Sequence, residues 1–129
     1  MHELIEAATA ARANAYVPYS HFAVGAAVRT ADGQIFAGCN IENASYGLTN
    51  CAERTALFTA VAAGHQDIVA MAIIGQTAGP ISPCGACRQV ISEFLPQTAP
   101  VYLTNLNGNC LTTTVQALLP QAFSKGELI

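Results

Sequence analysis

Charge is what this 129-residue sequence has least of: only 10% of its residues are Asp, Glu, Lys or Arg, against about 25% in ordinary soluble domains. The five cations, Arg12, Arg29, Arg54, Arg88 and Lys125, are scattered, and the net charge is -3. A protein that tracks a phosphate backbone needs a basic stripe, so nucleic-acid binding is disfavoured. No apolar run approaches the roughly 20 residues that cross a bilayer, so no membrane partner is expected. Glu3 and Glu6 near the start do not suit a signal peptide. Five cysteines are an odd count and fit a disulfide framework poorly. The expectation is a cytoplasmic protein whose thiols stay reduced. With 52% apolar residues and so little charge to cover them, part of the surface is expected to be buried against further copies of the same chain. The length suits one domain, residues 1–129, with a substantial core.

What is present follows a regular order. Leu4, Ala8, Ala11 and Ala15 recur at helical spacing and predict a helix over 3–15, stopped at Val17-Pro18. A strand of small residues over 22–28, the turn signal Asp32-Gly33 and a return strand over 34–40 predict a hairpin. A polar loop follows, 40–50. Ala52, Ala56, Leu57, Ala60 and Val61 give the next helix, about 51–63, a buried face, with Gly64 as its stop. Residues 68–75 are nearly all apolar, as in a strand covered on both faces. A helix over 84–94, a strand over 101–104, a turn at 106–109, a short strand over 110–112 and a last helix capped by Thr114 complete the chain. The order α-β-β-α-β-α-β-β-α predicts a three-layer α-β-α fold around a mixed five-stranded sheet. Right-handed crossovers would put the second and third helices on one face, with their N-termini together.

Those two N-termini carry the chemistry. One is Asn50-Cys51-Ala52-Glu53-Arg54 and the other Pro83-Cys84-Gly85-Ala86-Cys87. Three thiolates suit a catalytic zinc site, which takes three protein ligands and leaves a fourth position open. The first turn of a helix favours anions and lowers thiol pKa values, and the thiolate is the metal-binding form. Three thiolates with Zn²⁺ leave a net charge of -1, which a neighbouring cation would offset; Arg54 is the candidate. Glu53, two residues after the first Cys, is placed to take a proton from water at the open position and to return protons to a substrate. One carboxylate acting as base and then acid suits hydrolytic removal of an amino group from an aromatic ring. A Cys-x-x-Cys pair alone also occurs in structural zinc and redox sites. A structural site would need a fourth Cys or His, and Cys39 and Cys110 lack paired spacing and are taken as buried small apolar residues. A thioredoxin-like site would leave Cys51 and Glu53 without a role. Arg88 reads either as a second charge partner of the thiolates or as a solvated helix residue. His2, His21 and His65 have no partner pattern and are expected at the surface.

The two runs match the signature of the zinc deaminases, with Cys51 where the first ligand is usually His. The chain resembles the small homotetrameric cytidine deaminases of the cytidine/deoxycytidylate deaminase superfamily. The resemblance runs through Val17-Pro18-Tyr19-Ser20, Val24-Gly25-Ala26-Ala27, Gly38-Cys39-Asn40-Ile41-Glu42-Asn43-Ala44, Cys51-Ala52-Glu53-Arg54-Thr55-Ala56, Ser82-Pro83-Cys84-Gly85-Ala86-Cys87-Arg88-Gln89, and Leu118-Leu119-Pro120 with Phe123. It implies hydrolysis of cytidine and 2'-deoxycytidine to uridine and 2'-deoxyuridine with release of ammonia, as in pyrimidine salvage. It implies one Zn²⁺ per subunit on Cys51, Cys84 and Cys87, with Glu53 as the proton shuttle. It further implies Phe22 against the pyrimidine, Asn40 and Glu42 on the ribose hydroxyls, and backbone groups of Ala52 and Ser82 at the amino end of the ring. Tyr46 and Phe123 resemble residues that complete a neighbour's pocket in the tetramer. The residues themselves also permit other roles: core packing for Phe22, a turn for Asn40, an exposed loop acid for Glu42, generic interface packing for Tyr46 and Phe123. Rival functions are a deaminase of another aminopyrimidine such as blasticidin S, a nucleic-acid-editing deaminase, and a zinc-stabilised assembly module in which Glu53 is dispensable.

Overall fold

The chain alternates helices and strands so that one sheet divides two apolar clusters. The structure, a computed structural model, describes residues 1–128. Its elements are α1 (His2–Arg12), β1 (Val24–Thr30), β2 (Ile35–Cys39), α2 (Ala52–Ala62), β3 (Ile68–Gly75), α3 (Gly85–Phe94), β4 (Pro100–Asn105), β5 (Cys110–Thr114) and α4 (Val115–Leu118). The strands form one mixed sheet in the order β2-β1-β3-β4-β5. Only the β3–β4 pair is parallel; the others are antiparallel.

Strand alternation sorts the side chains. Val24, Ala26, Val28, Met71, Ile73, Val101 and Leu103 face α2 and α3, where they meet Ala56, Leu57, Ala60 and Ile91. Ala27, Ala70, Ala72 and Ile74 face α1 through Leu4 and Ala8. The expected three layers are therefore present, with α2 and α3 sharing one face. The all-apolar run over 68–75 serves both faces, apart from exposed Val69, and it pairs antiparallel with β1 as well as parallel with β4.

Small residues on the α1 side let that helix sit close to the sheet. A Cβ added to Gly25 would lie 2.0 Å from the Ala8 carbonyl oxygen and 2.9 Å from the Arg12 Cβ. Gly33, at φ +90°, closes the β1–β2 hairpin in the left-handed conformation that suits glycine.

Several boundaries differ from the sequence expectation, each for a tertiary reason. Helix α1 stops at Arg12, not at residue 15, because Tyr16 is committed elsewhere. Its N–H donates to the Asn40 carbonyl and its own carbonyl accepts from the Glu42 N–H. Phe22 lies before β1, not within it, because Asn40 holds the entry to the strand. The Asn40 side chain donates to the Phe22 carbonyl at 2.8 Å and accepts from the Val24 N–H at 2.9 Å. Strand β5 runs to Thr114, whose hydroxyl then accepts from the Ala117 N–H at 3.2 Å as the cap of α4. Cys110 is exposed on this edge strand rather than buried, and Cys39 is half-buried. His65 is half-buried rather than at the surface: its ring lies 5.2 Å from that of Phe36 and its Nδ1 3.8 Å from Asp32.

The close approach at Gly25 gives a direct test. Gly25→Ala must push α1 off the sheet and should destabilise the protein by about 1–3 kcal/mol, seen as a lower urea midpoint. An unchanged midpoint would show that α1 does not pack as described.

Candidate metal centre and substrate cavity

Helices α2 and α3 lie in one layer and begin at the same place. Cys51 is the residue immediately before α2 and Cys84 the residue immediately before α3, both in extended backbone conformation. Cys87 lies one turn into α3 and is buried. The local sequences explain the geometry: Ala52-Glu53 and Gly85-Ala86 begin helices whose first N–H groups have no partner within the helix. An anion set just before or within that turn is favoured.

The three sulfurs all lie within 4.8 Å of one another, and Cys51 Sγ is 3.9 Å from Cys84 Sγ. Zn–S bonds of about 2.3 Å at a tetrahedral angle would put two sulfurs about 3.8 Å apart, so the cluster fits that ion as it stands. Among the described residues no other group of His, Cys, Asp or Glu is gathered in this way. The set therefore has three protein donors and no fourth, as an open catalytic site requires.

Charge around the sulfurs is uneven. Arg54 donates from Nη2 to Cys51 Sγ at 3.3 Å. Hydrogen bonding from Cys87, together with the Arg54 guanidinium, pulls the Cys51 thiol down to about 5. Cys87 moves the other way, because it donates to Cys51 and is buried. Arg54 Nε is itself buried without a hydrogen-bond partner. Arg88 is half-buried rather than solvated, and its hydrogen bonds go to oxygens rather than to the sulfurs. Its guanidinium donates to the Pro83 carbonyl at 2.9 Å, the Leu118 carbonyl at 2.7 Å and the Ser82 hydroxyl at 2.7 Å. It braces the segment leading into α3.

Glu53 is only 5% exposed. Burial pushes its carboxyl above the usual range, and the Cys51 charge adds to that. The carboxylate faces a cavity of about 390 Å³ that it lines together with Cys51, Cys84, Ala52, Ser82, Phe22 and Asn40. Val24, Thr49, Thr77 and Ile81 complete the wall. None of these last four carried a functional signal in the sequence. Gly75 makes room for two of the walls: a Cβ there would meet Ile81 Cδ1 at 2.6 Å and Phe22 Cζ at 3.5 Å.

Glu42 does not line this cavity. It lines a second one, also about 390 Å³, with Tyr19, Ser20, Tyr46 and Thr49. Thr49 is common to both. Glu42 Oε1 accepts from the Tyr19 and Ser20 N–H groups at 3.0 and 3.1 Å, and Oε2 from the Ser20 hydroxyl. The Ser20 hydroxyl, ahead of the two N–H groups, holds the Glu42 carboxyl below its usual range. Tyr46 is 76% exposed and packs edge-on against Tyr19 at 5.9 Å. Phe123 is 55% exposed and lies apart from both cavities, its carbonyl accepting from Gln89 at 2.8 Å.

Comparison with known proteins bears on what this site is. Residues 1–103 match the family of the cytidine and deoxycytidylate deaminase zinc-binding region. A cytidine deaminase of Sporosarcina psychrophila is 57% identical over 128 residues, spanning 99% of this chain and 94% of the relative. The crystal structure of cytidine deaminase from Burkholderia pseudomallei superposes with a TM-score of 0.92 at 60% identity, covering 95% of this chain and 98% of that one. A blasticidin-S deaminase of Bacillus cereus is more distant, 34% identical over 131 residues, 95% of this chain and 91% of the relative. A three-sulfur cluster at two helix starts, a buried glutamate beside it and a match of this length have one common source: the chain belongs to the cytidine and deoxycytidylate deaminase zinc-binding family.

Proposed function

We propose that this enzyme hydrolyses cytidine and 2'-deoxycytidine to uridine and 2'-deoxyuridine, releasing ammonia. The observation that carries the reading is the buried Glu53 carboxylate, which shares one cavity with Cys51 and Cys84. Cys51, Cys84 and Cys87 would hold Zn²⁺. When bound, the ion supplies Lewis acidity, lowering the pKa of water so that hydroxide is available near neutral pH.

The chain's own groups do the rest. Glu53, with a carboxyl already raised by burial, accepts the proton from the attacking water. It delivers that proton to the ring nitrogen next to the amino-bearing carbon. It then takes the remaining water proton from the hydroxyl newly bonded to that carbon and passes it to the amine, which departs as the C=O bond forms. The net change is one water consumed and one ammonia released. Arg54 offsets the surplus charge of the sulfurs through Cys51. Phe22 packs against the pyrimidine, while Ala52 and Ser82 offer backbone groups to its amino end. Thr49 lines both this cavity and the one that Glu42 lines, which supports placing the sugar of the nucleoside toward Asn40 and Glu42. A carboxylate there accepts hydroxyl protons and repels phosphate, which favours a free nucleoside over a nucleotide.

The exposed Tyr46 and Phe123 support a homotetramer in which each site is completed by a neighbouring subunit. Further large apolar side chains, Leu48 at 71% and Phe58 at 48% exposure, are available for such burial. No helix among the described residues is long and apolar enough to cross a membrane. Three thiols that must stay reduced to bind a metal suit a cytoplasmic enzyme.

Cytidine turnover, followed by its absorbance loss, is the direct assay. Glu53→Gln should keep zinc and lose a factor of about 10²–10⁴ in kcat. Retained turnover would remove the carboxylate from the reaction, and cytidine ignored in favour of blasticidin S would change the substrate. A complementation experiment addresses the shared sites. Glu53→Gln chains co-expressed with Phe123→Ala chains should regain activity, because some sites then combine an intact Glu53 with a neighbour's intact Phe123. Activity no higher than that of either variant alone would place Phe123 outside its neighbour's pocket.

A further inference from the structure

Asn105 ends β4 and is 3% exposed. A buried amide is costly unless its donors and acceptor are used, and here both ends are. Its oxygen accepts from the Asn107 N–H at 3.1 Å and the Asn109 N–H at 3.0 Å, shaping the β4–β5 turn. Its nitrogen lies 3.0, 3.2 and 3.3 Å from the carbonyls of Thr77, Ala78 and Gly79. It also bonds the Asn109 side-chain oxygen at 3.0 Å.

Those three carbonyls belong to the loop that leaves β3 and leads to Ser82 and Cys84. Parallel β3 and β4 set Gly75 directly beside Asn105, so the loop starts against the amide. Three consecutive carbonyls turned toward one point repel one another unless a donor sits among them. Arg88 holds the far end of this loop at Ser82 and Pro83. Over 77–81 the other bonds are the Thr77 N–H to the Gly75 carbonyl at 3.2 Å, the Thr77 hydroxyl to the Gly79 carbonyl at 2.6 Å and the Ile81 N–H to the Thr104 carbonyl at 3.4 Å. Thr77 and Ile81 are walls of the cavity that Glu53 and Phe22 line, and Ile81 packs over Gly75.

We propose that Asn105 is a positioning residue for substrate binding: its side-chain nitrogen gathers the carbonyls of residues 77–79 and thereby presets the Thr77–Ile81 wall against which the pyrimidine is held. This rests on the deaminase reading above. The amide nitrogen touches neither the sulfurs nor Glu53, so its loss acts on the fraction of molecules whose wall is in place. That fraction scales the apparent affinity and leaves the chemical step alone.

The two ends of the amide can be tested apart. Asn105→Asp keeps an oxygen for the turn and turns a carboxylate oxygen toward the three carbonyls in place of the donor; Asn105→Ala removes both ends. In the zinc-loaded enzyme, Asn105→Ala should raise KM for cytidine about tenfold, the worth of one hydrogen bond. Asn105→Asp should raise it at least as far, because the new oxygen repels the carbonyls. In both variants kcat should stay within about twofold and zinc content should be unchanged. Three results would overturn the proposal: KM unchanged in Asn105→Asp, a fall confined to kcat, or failure of both variants to give soluble, zinc-loaded protein, which would make Asn105 a folding residue. Wild-type enzyme with zinc in place and no cytidine turnover would instead strike at the deaminase reading, so the two failures are separable.

Discussion

Bringing three sulfurs within 4.8 Å of one another is the constraint on which the rest of the structure depends. Thiolates repel, and at buried Cys87 the water that would screen this repulsion is excluded. Two features offset this before any metal is considered. The sulfurs sit at the starts of two helices, where unpaired N–H groups and the helix dipole favour anions, and Arg54 bonds Cys51 directly. Gathering the three sulfurs requires α2 and α3 to begin side by side. The sheet supplies that: β3 and β4 run parallel, α3 crosses between them, and α2 packs in the same layer over β1 and β2.

The cavity follows from the same edge of the sheet. The loop that leaves β3 must pass over the β3 end to reach Cys84, and Gly75 leaves the space in which Ile81 and Phe22 face one another. Glu53, on the first turn of α2, is buried by this arrangement, which pushes its carboxyl above the usual range. Metal cluster, carboxylate and cavity are thus one consequence of two helices starting together beneath a covering loop.

Much of this was legible in the sequence because the signals are local. Alternation and helical spacing placed every strand and α-helix in its order, though not the short 3-10 turns at Tyr46–Leu48 and Lys125–Glu127, and the two cysteine runs fell at helix starts. What escaped notice depends on contacts between distant segments. The predicted helix runs on to residue 15 because nothing near its end announces the pairing of Tyr16 with Asn40 and Glu42 that ends α1 early. Cys110 looked like a core residue because its place on an exposed edge strand is a property of the whole sheet. Arg88 carries no local sign that its guanidinium binds the Pro83 and Leu118 carbonyls. Asn105 falls between the strand expected over 101–104 and the turn expected at 106–109 and carries no signal of its own; half of its hydrogen bonding is to that turn. The other half reaches a loop on the neighbouring strand that no sequence window contains.

The central claim is that one metal ion is held by three sulfurs of this chain, with one position left open beside Glu53. X-ray absorption on the zinc-loaded wild-type protein measures it most directly. The account predicts three sulfur neighbours at about 2.3 Å and one lighter atom. Four sulfur neighbours, or fewer than three, would contradict it.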